Sequence, residues 1–157
     1  MKRRALVLTC GNPQRGDDGV AWHVAEALLA GFCDPDTKVR CVQQWLPEMA
    51  EAISEVGTVI FVDASAELPP GEVGCQTVKP RTASPESLTH SMAPAALLAL
   101  AKQLYESAPS AAYLVTIGGA TFELSEELSE AARRAIPAAL AQVKALLSGV
   151  SVPHPES

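Results

Sequence analysis

Two adjacent carboxylates occupy the connection that follows the first apolar run of the chain. The connection covers residues 9–20, reads Thr-Cys-Gly-Asn-Pro-Gln-Arg-Gly-Asp-Asp-Gly-Val, and its carboxylates are Asp17 and Asp18. One aspartate is enough to cap a following helix and to favour its positive N-terminal end. Capping does not explain the second, so Asp18, or Asp17 in its place, is a candidate for cation binding or acid–base chemistry.

A third carboxylate and one histidine complete the set of side chains that could do chemistry. Asp63 directly follows the apolar run 58–62, and His90 ends the polar stretch 79–89, ahead of an Ala- and Leu-rich helix. Two carboxylates and an imidazole can bind a divalent metal such as nickel, zinc, manganese or iron and leave positions open for water or substrate. The simpler alternatives are that Asp63 is a turn residue and His90 a solvated loop residue.

The acidity of the first loop argues against a phosphate site. In a phosphate-binding loop of the G-x-x-x-x-G-K-[ST] type a lysine follows the second glycine, whereas Gly16 is followed by two aspartates, which would repel phosphate. The spacing of Gly11, Gly16 and Gly19 also differs from the G-x-G-x-x-G of a dinucleotide site.

Strand and helix patterns alternate along the chain. Apolar or alternating runs predict strands at 5–8, 38–43, 58–62, 72–78 and 111–117, and helical spacing predicts helices over 20–31, from 47, over 94–104 and over 127–148. Ser125 is the expected N-cap of the last helix, and Pro137 predicts a kink or break that separates two helical pieces, roughly 127–136 and 138–148. We therefore expect an α/β three-layer sandwich: a twisted, mostly parallel sheet of about five strands with helices on both faces.

Length, composition and charge bound the possible roles. The 157 residues, 48% of them hydrophobic, suit one domain over 1–149 with a disordered Pro-rich tail over 150–157. A net charge of −6 argues against nucleic acid or an anionic membrane as partner. No apolar run is long enough to span a membrane. We expect a cytoplasmic protein, monomeric by default.

The four cysteines do not form a recognisable metal or redox motif. They contain no C-x-x-C pair, which argues against a zinc knuckle and a thioredoxin-like site, and they are expected to be small buried hydrophobes: Cys10, Cys33, Cys41 and Cys75. Cys10 lies beside the acidic loop, but no histidine is near it in sequence to act as a partner.

In series, these motifs resemble the hydrogenase maturation peptidases. The resemblance covers residues 5 to about 148 and is carried by the loop Gly-Asn-Pro-Gln-Arg-Gly-Asp-Asp-Gly-Val at 11–20, by Val-Asp-Ala at 62–64, by Thr-His at 89–90 and by Ile-Gly-Gly at 117–119 followed by Glu-Leu-Ser at 123–125. Some members of the family have Glu where this chain has Asp18.

The resemblance implies both an activity and a site. It implies an endopeptidase that removes the C-terminal extension of a nickel-iron hydrogenase large-subunit precursor after nickel has been inserted. Asp18, Asp63 and His90 would contact that nickel, which the precursor supplies, and no organic cofactor is expected. Two alternatives stay open: a non-catalytic nickel-sensing chaperone of the large subunit, and a small-ligand α/β enzyme of phosphorylase-like fold, which the acidic loop disfavours.

Overall fold

The computed structural model describes residues 3–32, 34–82 and 92–149. In these ranges the elements in chain order are β1 (Arg3–Cys10), α1 (Val20–Gly31), β2 (Thr37–Val42), α2 (Ala50–Ser54), β3 (Val56–Ser65), β4 (Val73–Thr77), α3 (Pro94–Tyr105), β5 (Ala111–Gly118) and α4 (Glu130–Leu147). Short 3₁₀ turns over Gly16–Gly19 and Pro47–Met49 precede α1 and α2. The predicted ligand His90 and the predicted tail over 150–157 lie outside the described residues.

The five strands form one sheet in the order β2-β1-β3-β5-β4. β1, β2, β3 and β5 run parallel, and β4 pairs antiparallel with β5. The predicted mostly parallel five-stranded α/β fold is confirmed. The uninterrupted apolar run of β3 suits a central strand covered on both faces, whereas the alternating pattern of β2 suits an edge.

Helices cover both faces of this sheet. One face packs against α1 and α4, and buries β1 residues Ala5 and Val7 together with Ile60 and Val62 of β3. The other face packs against α2 and α3, and buries the alternate residues of the same strands, among them Leu6, Leu8, Val59 and Phe61. Because successive strand side chains point to opposite faces, the two central strands are apolar at nearly every position.

The last helix is continuous through Pro137, so the predicted division into two helical pieces is wrong. α4 spans Glu130–Leu147 with Pro137 inside it, and its N-cap is Ser129 rather than Ser125. Pro137 and Arg133, whose carbonyl loses its usual partner four residues on, both lie on the exposed side, while Ala135, Ala139 and Val143 are buried against the sheet. Packing of that apolar stripe keeps the helix whole. None of the helices in the described ranges has the length and hydropathy needed to cross a membrane.

We expect Pro137→Ala to raise the free energy of unfolding by about 1–3 kcal/mol, because proline costs about 3 kcal/mol more than alanine inside a helix and restricts the unfolded chain in partial compensation. Urea unfolding followed by circular dichroism measures the change. Ala138→Ser, at the exposed neighbouring position, is the control and should change stability little. Equal or lower stability of the Pro137 variant would contradict this account of α4.

Candidate functional site

The carboxyl ends of β1 and β3 lie side by side in the middle of the sheet. Cys10, the last residue of β1, pairs in register with Asp63 of β3, and Asp63 pairs with Thr116 of β5. β2 lies on one side of β1 and β3 on the other, so the strand order reverses between these ends. Open parallel sheets bind ligands in the crevice at such a switch point.

The loop after β1 folds back so that Asp18 lies beside the end of that strand. Gly11 has a φ of +151°, and a Cβ there would collide with the backbone carbonyl oxygen of Asp18. Oδ2 of Asp18 accepts a hydrogen bond from the backbone N–H of Asn12 at 2.7 Å. No described residue donates to its other carboxylate oxygen. Asp18 is therefore held in place with one oxygen available for a ligand.

Asp18 and Asp63 lie close enough to influence one another. Burial raises the pKa of Asp63 to about 6, and the negative charge of Asp18 contributes to the rise, against hydrogen bonds from the Ala64 backbone and the Trp45 side chain. The Ala64 N–H donates to Asp63 Oδ1 at 2.8 Å. A carboxylate that is costly to ionise next to a second carboxylate is stabilised by any cation that binds both.

Asp17, the other aspartate of the pair, is fully buried and has a different role. Its Oδ2 accepts hydrogen bonds from the backbone N–H of Ala120 (2.7 Å) and Thr121 (3.2 Å) and from the Ser129 hydroxyl (2.7 Å). Its Oδ1 accepts the Ser129 backbone N–H at 2.7 Å. Burial would raise the pKa of Asp17, but the hydrogen bonds, from Ser129 above all, lower it below the ordinary value.

These hydrogen bonds join the acidic loop to the connection between β5 and α4. The Asp17 backbone N–H donates to Thr121 O at 2.9 Å, and that of Gly16 donates to Ser125 O at 2.8 Å. The Ser129 hydroxyl also accepts the Ala132 N–H at 3.2 Å, so one side chain both caps α4 and binds Asp17. Since both oxygens of Asp17 are engaged by protein donors, Asp18 is the aspartate of this loop that can meet a ligand.

Cys10 is a buried thiol close to both carboxylates. Burial raises the pKa of Cys10 to about 12, and the charges of Asp63 and Asp18 add to that rise. The thiol is therefore protonated at neutral pH, whereas a nucleophilic or metal-binding cysteine needs a lowered pKa. This agrees with the prediction that Cys10 is a core residue, whereas the same prediction is wrong for Cys41, which is exposed.

The described residues contain no group of three His, Cys, Asp or Glu side chains fit to hold a metal ion. His90, the third predicted ligand, is not among them. On the described side of His90, Met92 is buried and its backbone N–H donates to the Trp45 carbonyl at 2.9 Å. The chain thus enters α3 beside the residue whose side chain hydrogen-bonds Asp63.

Sequence reasoning missed the residues that support the carboxylates. Trp45, which hydrogen-bonds Asp63 and packs edge-on against Phe61 with ring centroids 5.3 Å apart, follows β2 without any motif around it. Ser129 carried a detectable signal, since a serine directly before Glu130 is typical of a helix N-cap. Its hydrogen bonds to Asp17 join residues 112 positions apart and have no signature in sequence.

Comparison with known proteins gives matches among solved structures only. Neither a family model nor a curated protein matches the chain. An endopeptidase of Escherichia coli, solved in solution, is 26% identical with a TM-score of 0.73, and the match covers 98% of this chain and 99% of that one. The hydrogenase maturation protease HycI of Thermococcus kodakarensis is 25% identical with a TM-score of 0.70 over 94% of both chains.

A third solved structure has a similar fold. The hydrogenase maturation endopeptidase HybD of E. coli has a TM-score of 0.76 over 93% of both chains, at 23% identity. These likenesses span nearly the whole chain and agree with the motifs of the acidic loop, the end of β3 and the end of β5. The chain thus has the fold of solved hydrogenase maturation endopeptidases, and this likeness agrees with the resemblance that its motifs carry.

Proposed function

We propose that this protein is the endopeptidase that removes the C-terminal extension of a nickel-iron hydrogenase large-subunit precursor once that precursor holds nickel. Two of the solved structures that it resembles are described as a hydrogenase maturation protease and a hydrogenase maturation endopeptidase. The chain covers more than nine tenths of both. Structural similarity over nearly the whole length of these proteins supports the same kind of reaction for this chain.

One observation carries the proposal: of the three aspartates at the carboxyl edge, Asp18 and Asp63 are only partly buried, whereas Asp17 is fully buried and engaged by protein donors. Asp17 is saturated by protein donors, whereas Asp18 accepts a single hydrogen bond from the described residues and is only partly buried. Asp63 is also partly exposed, and its pKa is raised by burial and by the charge of Asp18. Two neighbouring carboxylates in this state favour a cation that arrives with the substrate.

In the proposed reaction nickel belongs to the substrate. Asp18, Asp63 and His90 would engage the nickel of the precursor, and this contact would align the scissile peptide bond with the crevice between β1 and β3. For His90 the support is indirect, since Met92 brings the start of α3 beside Trp45. A precursor without nickel would lack this contact and would be left intact. Cleavage would therefore depend on prior insertion of the metal.

A water molecule is the proposed nucleophile. It could be polarised by the substrate's metal acting as a Lewis acid, or deprotonated by one of the two carboxylates acting as a general base. The raised pKa of Asp63, about 6, brings that carboxyl near the range in which a general base works best at neutral pH. A cysteine nucleophile is disfavoured, because the nearby thiol of Cys10 is held protonated.

Intact-mass measurement of a nickel-loaded precursor, incubated with and without this protein, tests the proposal. We expect the precursor to lose the mass of its C-terminal extension, and a precursor without nickel to keep its mass. Asp18→Asn and His90→Ala should prevent the loss. A loaded precursor that binds this protein without any mass change would instead show a nickel-sensing chaperone, and would contradict the proposed peptidase.

A further inference from the structure

The outer side of the edge strand β4 carries a row of backbone hydrogen-bonding groups that no described residue pairs with. Val78, directly after β4, donates its N–H to the Ala112 carbonyl at 2.9 Å. The even-numbered residues of β4 therefore direct their backbone N–H and C=O groups towards β5. In an antiparallel pair the alternate residues direct their N–H and C=O groups to the other side. The backbone N–H and C=O groups of Val73, Cys75 and Thr77 therefore point away from the sheet. No backbone hydrogen bond from the described residues reaches them.

A groove of about 530 Å³ lies beside the end of β4. The end of β4, the following segment 78–81, Leu114 of β5 and the start of α3 form its walls. Lys79 and Arg81 line it, and both are exposed. Neither forms an ion pair with another described residue. In a chain of net charge −6, this groove carries two positive charges that no described carboxylate neutralises.

The groove lies on the same face of the sheet as the Asp63 carboxylate. Asp63, Thr116 and Gly74 are register partners in one row across β3, β5 and β4. Leu114 and Gln76, two residues away along β5 and β4, line the groove. Side chains two residues apart on a strand share a face. The row from Asp63 ends at Gly74, so β4 itself adds no side chain to that row, although the side chains of Thr116 and Leu68 lie against this glycine.

We propose that the open edge of β4 and this groove bind the C-terminal extension of the precursor on the far side of the scissile bond. The inference rests on the proposed function. An extended peptide adds readily to a free strand edge through main-chain hydrogen bonds. Every C-terminal extension, whatever its sequence, ends in an α-carboxylate, and Lys79 and Arg81 supply the complementary charge.

The direction of β4 fixes the direction of the bound peptide. β4 starts level with the carboxyl end of β5, since Val73 pairs with Ile117, and runs away from that edge towards Lys79. The extension starts at the scissile bond near Asp63 and must end near the two cations. It therefore adds parallel to β4, with its backbone opposite the outward groups of Val73, Cys75 and Thr77.

The spacing of the sheet sets the length of extension that can reach the groove. A strand added beyond β4 lies three strand spacings from β3, or about 14 Å, which about four extended residues span. About five more residues pair along β4. Extensions of about nine residues or more after the scissile bond should therefore use the groove, and clearly shorter ones should not.

Charge reversal in the groove provides the first test. We expect Lys79→Glu combined with Arg81→Glu to raise the KM for a nickel-loaded precursor at least tenfold with little change in kcat. Lys38→Glu combined with Arg40→Glu, the matched control at two exposed positions of the opposite edge strand β2, reverses the same number of charges and should leave KM unchanged. An unchanged KM for the groove variant, or an equal rise for the control, would overturn the groove. A wild-type protein that cleaves no loaded precursor would instead overturn the proposed function, and the groove with it.

A proline in β4 tests the strand edge separately. Thr77 is exposed and its N–H points outwards, so Thr77→Pro removes a donor to the added strand and leaves the pairing of β4 with β5 intact. We expect a several-fold rise in KM for Thr77→Pro and none for Thr77→Val, which keeps the N–H. With a precursor whose extension is cut to about four residues, neither Thr77→Pro nor the double charge reversal in the groove should raise KM. Equal KM for the two Thr77 variants on the full-length precursor would overturn the strand addition.

Discussion

Asp63→Asn is expected to lower the rate of precursor processing by about 10²–10⁴-fold, the range that a positioned acid–base or ligand group contributes to catalysis. Asparagine keeps the shape of the side chain and can still accept the Ala64 N–H, but it carries no charge to attract a cation and no basic oxygen to take a proton. Single-turnover assays on a nickel-loaded precursor, read by intact mass, measure the loss.

The same substitution should leave the fold intact and its stability unchanged or higher. The pKa of Asp63 is raised to about 6 by burial and by Asp18, so the ionised carboxylate is disfavoured in the folded state. Above that pH the wild type carries this cost, whereas between about pH 4 and 6 the folded state takes up a proton and the cost fades. The stability advantage of Asp63→Asn should therefore grow as pH rises from 4 to 6 and stay level above it.

Cys10→Ala is the neighbouring control for this prediction. Cys10 pairs in register with Asp63 and is buried beside it, but its protonated thiol has no part in the proposed reaction. We expect Cys10→Ala to process the precursor within a few-fold of the wild-type rate. Normal processing by Asp63→Asn, or loss of processing by Cys10→Ala alone, would contradict the assignment of Asp63.

Asp17→Asn, unlike Asp63→Asn, should lower the stability of the fold, by about 1–3 kcal/mol for each donor that is left unsatisfied. Asp17 accepts four hydrogen bonds in a fully buried position, and an asparagine amide group must face at least one of these donors with a donor of its own. Unsatisfied buried donors cost about 1–3 kcal/mol each, and a typical domain is stable by only 5–15 kcal/mol. Urea unfolding at pH 7 measures the loss, with the exposed Asp36→Asn as control.

The pH dependence of the Asp17 effect has a fixed sign. Hydrogen bonds from Ser129, Ala120 and Thr121 overcome the effect of burial and lower the pKa of Asp17. Its contribution is therefore fully present above the unfolded pKa of about 4 and is lost as pH falls through the lower folded value. The difference between wild type and Asp17→Asn should shrink below pH 4. A difference near zero at pH 7 would contradict the structural role.

The positions of the strands along the chain, and their central or edge character, followed from local pattern. The apolar, β-branched run that ends in Asp63 could only be satisfied by a strand covered on both faces, and the alternating run of β2 by an edge. Because parallel strands present their carboxyl ends at one edge, placing Asp18 and Asp63 on the same side of the sheet needed no coordinates.

Pattern failed where long-range packing outweighs a local preference. Pro137 should end a helix on its own, yet α4 continues through it, because the proline lies on the exposed side and the buried stripe holds both halves on the sheet. The N-cap of α4 is likewise Ser129, and not Ser125 as the local pattern predicts. The deciding partner of Ser129 is Asp17, 112 residues earlier in the chain.

The sequence alone determined that this protein is an α/β domain with a pair of aspartates in its first loop and a third after its central strand. It could not determine which of the paired aspartates serves the site, since Asp17 and Asp18 are chemically identical and adjacent. Only the tertiary structure separated them: in a buried position a carboxylate must be satisfied by hydrogen bonds, and the β5–α4 connection supplies these to Asp17 and leaves Asp18 facing Asp63.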